Sequence, residues 1–180
     1  MGLITKTQLT NFRNKTRFYS KPVNESLQEF KSESKYQKVT IFLSHKHDEI
    51  EELDSAISFL KQFDVEVYVD WLDEGMPKKT SGITAARIKM KIKENTKFIF
   101  LATQSAIDSK WCNWELGLGD ADKYIKHIAI LPIKDNYSDY KGNEYLEIYP
   151  YIYESDRTPG SFYLKNPDGR VIEVGTWLKS

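Results

Sequence analysis

Two hydrophobic rhythms alternate along this chain. Val39-Thr40-Ile41-Phe42-Leu43 is a short, nearly continuous β-prone apolar run, the pattern of a strand buried on both faces. It gives way to Ser44-His45-Lys46-His47-Asp48 and then to Ile50, Leu53, Ala56, Ile57 and Leu60 at helical spacing. Asp48 is the expected N-cap of that helix, with Glu49, Glu51 and Glu52 in the first turn, where the helix dipole favours anions. The unit repeats with a strand at Val65-Glu66-Val67-Tyr68-Val69, a connection from Asp70 to Gly82, and a helix from Ile83 to about Asn95. That 13-residue connection carries Gly75, Pro77 and Gly82 and is long for an α/β unit, which marks it as a functional loop. A third strand, Lys97 to Ala102, leads through Ser105 into a long helix whose apolar stripe is expected at Trp111, Trp114, Leu118, Ala121 and Ile125. His127 to Ile133 is the fourth strand.

Such alternation implies right-handed crossovers and a parallel sheet covered by helices on both sides, an α/β fold. Ligands of these sheets sit beyond the carboxyl ends of the strands. Ser44 to Asp48, Asp70 to Gly82 and Thr103 to Glu115 must therefore gather at one edge. The flanks are less regular. In residues 1–37, Leu9 and Phe12, then Leu27 and Phe30, are separated by Lys21-Pro22, consistent with two short packed helices or with a mobile leader. After Ile133 a Tyr-rich segment includes Tyr145 to Tyr149 as a further strand or short helix. Phe162 to Lys165 and Arg170 to Val174 flank Asn166-Pro167-Asp168-Gly169, a type I turn sequence, and read as a β-hairpin. The expected division is 1–37 an extension, 38–150 the main domain, and 151–180 a hairpin extension packed on it.

Composition adds limits. Among 180 residues, 40% are hydrophobic and 29% charged, and 26 basic side chains balance 26 acidic ones, so nothing global points to nucleic acid. The first 37 residues hold seven basic and three acidic side chains, net +4, leaving the rest at −4. Cys112 is the single cysteine, which excludes an intrachain disulfide and fits a reducing compartment. The start lacks the apolar core of a signal peptide, and no stretch has the length of a membrane span, so a cytoplasmic protein without a membrane partner is expected.

The chemistry narrows by elimination. Neither Gly-x-x-x-x-Gly-Lys nor Gly-x-Gly-x-x-Gly after a strand is present, and the third strand ends Leu101-Ala102-Thr103, without the aspartate of a phosphoacceptor domain. His45, His47 and Asp48 form one short cluster without spaced partners, a weak zinc signal, and no metal or cofactor is expected. Cys112 has no evident histidine partner and reads as a small hydrophobe near the core. What remains is Glu115, one helical turn from Trp111, with Trp71 and polar loops nearby. Glu115 either merely flanks a buried helix face or faces a cleft. In a cleft, a lone carboxylate suits cleavage of a bond whose leaving group departs without protonation, such as the N-glycosidic bond to a pyridinium.

Three blocks, Val39 to Ser44 with its polar turn, Val65 to Asp70 with Glu74-Gly75, and Ser109 to Leu116, together resemble a Toll/interleukin-1 receptor (TIR) domain of the bacterial type over Lys38 to Ile133. The resemblance implies a flavodoxin-like sheet of five parallel strands in order 2-1-3-4-5, with the N-terminal helical extension and C-terminal hairpin lying outside it. It also implies a catalytic glutamate at Glu115, and Phe42, Ser44, His45, Asp70, Trp71 and Trp111 around the substrate. Enzymatic members cleave NAD+, releasing nicotinamide and yielding ADP-ribose or a cyclic or conjugated relative. A small stand-alone member is similar to the signal-maker of a Thoeris-type anti-phage system, with self-association through the Asp70 to Gly82 loop and a separate effector that responds to the product. The alternatives are a non-catalytic TIR adaptor and a nucleoside deoxyribosyltransferase-like enzyme.

Overall fold

Among the described residues eight strands share one sheet: β1 (Ile4–Thr5), β2 (Thr40–Ser44), β3 (Glu66–Tyr68), β4 (Lys97–Ala102), β5 (Ile128–Lys134), β6 (Tyr151–Glu154), β7 (Phe162–Lys165) and β8 (Val171–Glu173). The helices are α1 (Lys6–Thr16), α2 (Ile50–Lys61), α3 (Gly82–Glu94), α4 (Gln104–Ile107), α5 (Lys110–Asp122) and α6 (Val174–Leu178). This computed structural model describes residues 2–16, 39–70, 81–134 and 142–180. The second helix expected around Leu27 and Phe30, and most of the Asp70 to Gly82 loop, lie outside them.

Side to side the strands run β3-β2-β4-β5-β6-β7-β8, with β1 beside β5. The pairs from β3 to β6 are parallel, and β7 and β8 are antiparallel to their neighbours. Among the described residues the sheet is thus mostly parallel and seven strands across, with the expected hairpin, β7 and β8, joined to its edge as two further strands. Its fifth parallel strand is β6, while Glu144–Ile148 is a turn of 3-10 helix. The boundary expected at residue 150 falls at the start of β6. The hairpin continues the sheet in plane, closed by Gly169 N donating to Asn166 O at 2.9 Å.

Alternation along the strands separates two cores. Ile41, Leu43, Ile99, Leu101, Ala129 and Leu131 face α1, α2 and α6. Phe42, Phe98, Phe100, Ala102, Ile128 and Ile130 face α3, α4 and α5. On the first side Arg13 Nε meets Asp54 Oδ2 at 2.6 Å, and Phe12 packs edge-on to Phe59 and Phe162, which fixes α1 against α2. The second side is aromatic: Phe42 stacks between Phe98, 5.6 Å between centroids, and Tyr68 at 5.7 Å.

A helix crossing so thick a layer must present small side chains. A Cβ on Gly119 would stand 3.0 Å from Cδ2 of Phe98. The buried face of α5 is accordingly Cys112, Glu115, Leu116 and Gly119, at i, i+3, i+4 and i+7, which corrects the stripe expected through Trp111, Trp114, Leu118, Ala121 and Ile125. Trp114 is 36% exposed and Ile125 46%. The same rotation moves Glu115 from the border of the buried face to its middle. Asp48 is also corrected: α2 starts from Glu49 with no side-chain cap, and Asp48 pairs with Lys46 at 3.2 Å in solvent.

Candidate functional site

β2 stops at Ser44 because the next residues, His45 to Asp48, are polar and turn away from the sheet. Helix α5 starts beside this edge. Ser109 caps it by accepting from Cys112 N, and Cys112 Sγ donates to His45 O at 3.2 Å, tying the helix to the turn. One turn further on, Glu115 is 3% exposed and receives a hydrogen bond of 2.6 Å from Ser44 Oγ onto Oε2. A hydrogen bond to a buried carboxylate is worth about 1.5–3 kcal/mol. It does not offset the burial. Desolvation and then the Asp70 charge push the Glu115 pKa up to about 8, against the pull of the Ser44 hydroxyl, the His47 charge and the Trp111 indole. The carboxyl of the free protein therefore holds its proton at neutral pH. A positive group arriving beside it favours ionisation.

Around Glu115 the polar groups are incompletely matched. Trp111 packs at 4.9 Å between centroids against Trp114. Its indole lies near enough to favour the charged carboxylate, yet Nε1 is buried and forms no hydrogen bond of ordinary geometry among the described residues. His45 is 4% exposed; its Nδ1 lies 3.1 Å from Leu43 O, while Nε2 has no partner among the described residues. Burial lowers the His45 pKa. A buried ring nitrogen with no partner among the described residues, as at His45, is uncommon in a folded protein and marks this edge as a candidate ligand contact.

The third strand of this edge brings Asp70. β3 pairs with β2 as far as Phe42 and Tyr68, and Asp70, two residues past the end of β3, lies close enough for its charge to act on Glu115 and His45. Asp70 is 5% exposed and contacts His47 Nε2 at 2.9 Å, a hydrogen bond that raises the His47 pKa. Thr103, at the end of β4, donates to the Glu49 carboxylate at the same edge.

The sequence-derived residues thus divide. Ser44, His45, Asp70, Trp111 and Glu115 come together. Phe42 is a core ring, 1% exposed, on the face of β2 that also carries Ser44, and supports the site from beneath. Trp71 lies outside the described residues. His47 was missed as a member; its signal was there, two residues beyond His45 in a turn that must face the end of the neighbouring strand. Cys112 is 1% exposed, and burial pushes its thiol up to about 11, the state of an inert thiol. No helix among the described residues is long and apolar enough to cross a membrane.

No protein-family model matches the chain. A curated protein of Bacillus cereus (strain MSX-D12) named as a probable 3' cyclic ADP-D-ribose synthase, ThsB', is 26% identical to it over 193 aligned positions that cover 99% of each chain. The likeness spans the extension, the sheet and the hairpin together, so the two are similar as whole proteins. With this end-to-end similarity, the mostly parallel α/β fold, and Ser109 to Leu116 set against the end of β2, the chain is TIR-like and resembles the stand-alone TIR proteins of Thoeris-type systems.

Proposed function

We propose that this protein cleaves the bond between nicotinamide and ribose in NAD+ and turns the remainder into an ADP-ribose-type signal in anti-phage immunity. The observation that carries the reading is the Glu115 carboxyl, buried, bonded to Ser44, approached by the Trp111 indole and flanked by His45 Nε2, which has no partner among the described residues. The positive pyridinium of the substrate favours the ionised carboxylate, and Glu115 releases its proton to solvent as the substrate binds. As the C–N bond breaks, its electron pair leaves with nicotinamide, which needs no proton, and the anion of Glu115 stabilises the cation forming on the ribose. Ser44 holds the carboxylate in place; the Trp111 indole and His45 Nε2 face the substrate's polar groups. Capture of the cation by a hydroxyl of the same molecule, with loss of its proton, gives a cyclic product. The name of the Bacillus cereus relative favours that outcome over hydrolysis.

The further parts of this reading are that Trp71 and the Asp70 to Gly82 loop complete the site, that the loop joins subunits, and that a separate effector in the cytoplasm responds to the product. Nicotinamide release per subunit then rises with protein concentration. The deciding experiment incubates concentrated protein with NAD+ and separates the products by chromatography with mass detection. Nicotinamide together with a product one water lighter than ADP-ribose is expected, with neither from Glu115→Gln. Free base from deoxynucleosides but not from NAD+ would replace this reading with a transferase. No product from either, at any concentration, leaves an adaptor.

A further inference from the structure

We propose that His45, His47 and Asp70 form a binding site for a late first-row divalent cation, zinc in type, beside Glu115. One donor atom from each of the three side chains lies within 4.8 Å of the others. The stronger observation is the state of His45. Its Nδ1 is turned to the Leu43 carbonyl at 3.1 Å, which fixes the tautomer and leaves the lone pair on Nε2, buried and without a partner among the described residues. A ring nitrogen oriented through a backbone carbonyl on its other side is the usual support of a histidine metal ligand.

The other two donors are near their places. His47 Nε2 is 2.9 Å from Asp70 Oδ2, and the His47 side chain is 49% exposed, so a cation from solvent can reach that pair and replace its hydrogen bond. Bonds of about 2.0–2.2 Å in a tetrahedral site put donors about 3.4 Å apart, so donors that lie within 4.8 Å of one another must shift to share a cation. Two imidazoles and one carboxylate select zinc, cobalt, nickel or copper over magnesium or calcium, which prefer oxygen throughout. A fourth position is left for water. This set differs from the His45, His47 and Asp48 grouping apparent in the sequence, because Asp48 is exposed on Lys46 and Asp70 comes from just past the end of β3. It also departs from the expectation of no metal.

The site goes beyond the NAD+ reading and does not depend on it. A cation there occupies His45 Nε2 and sets a double positive charge beside Glu115, so it competes with a cationic ligand for that edge.

The test uses tag-free full-length protein titrated with cobalt(II) and followed by visible absorption, with no nucleotide present. One cobalt per chain with the intense bands of a four-coordinate site, bleached by equimolar zinc, is expected. His47→Ala and Asp70→Asn, each checked by thermal melting for an intact fold, should each weaken cobalt binding at least tenfold. If His47→Ala does not fold, Asp70→Asn decides. Absence of the bands at equimolar cobalt, unchanged affinity in a folded variant, or a near-ultraviolet thiolate-to-cobalt band that assigns Cys112 as ligand would each overturn the site.

Discussion

Glu115→Gln should stabilise the fold at neutral pH while removing its chemistry. The carboxyl has an ordinary pKa of 4.5 and a pKa of about 8 in the folded protein. Between those values the folded chain holds a proton that the unfolded chain releases, so stability falls as pH rises from 4.5 through 8 and is unaffected by this group outside that window. At about 1.4 kcal/mol per unit, the whole penalty is about 5 kcal/mol and the part present at pH 7 about 3 kcal/mol. Glutamine keeps the volume and an oxygen to accept from Ser44 Oγ, and it has no proton to lose. Urea unfolding of both proteins at pH 5 and pH 8 measures the effect. The stability advantage of the variant should widen by about 3–4 kcal/mol between the two, at unchanged m-value. An equal gap at both pH values refutes the reasoning, because it would mean that Glu115 is ionised in the free protein and that desolvation does not govern it.

Three further outcomes follow from the same geometry. The kcat/KM for NAD+ should rise about tenfold per pH unit and level off near 8, and in Ser44→Ala, which loses a bond to the charged form, the bend should move to higher pH. Gly119→Ala should destabilise the protein by about 1–3 kcal/mol in thermal or urea unfolding, because the Phe98 ring it meets is held by Phe42 and is 0% exposed. Cys112 should resist iodoacetamide in the native state at pH 8 and react in urea, as read by intact mass, since its thiol is both buried and pushed up to about 11.

The legible parts of this molecule were those written in local pattern. The apolar runs at Val39 to Leu43 and Lys97 to Ala102 needed no partner to be recognised, and strand-helix alternation carried the sheet with them. The face of α5 was not legible. Trp111, Trp114 and Leu118 are more hydrophobic than Cys112, Glu115 and Gly119, and any periodicity weighs them so. What decided the orientation was the thickness of Phe98 and Phe42 on strands far away in sequence. The strand Ile4–Thr5 is too short to register as a pattern, and its pairing with Ile133 and Lys134 is a long-range contact. The site followed the same rule. Glu115 and Ser44 could be marked singly, but the Asp70 contact with His47 depends on the β2–β3 register.

Among the described residues the sheet ends on both sides in strands of three residues, β3 and β8. Glu173 and Val171 on β8 are exposed, and a charged, very short rim offers little backbone for a neighbouring copy to zip onto. Lateral recruitment by main-chain pairing is thereby discouraged at the β8 flank, where the hairpin works as a selvedge that stops the weave. A mutation that lengthened β8 by a few β-branched residues would open that rim to main-chain pairing between copies and invite a less reversible kind of polymer.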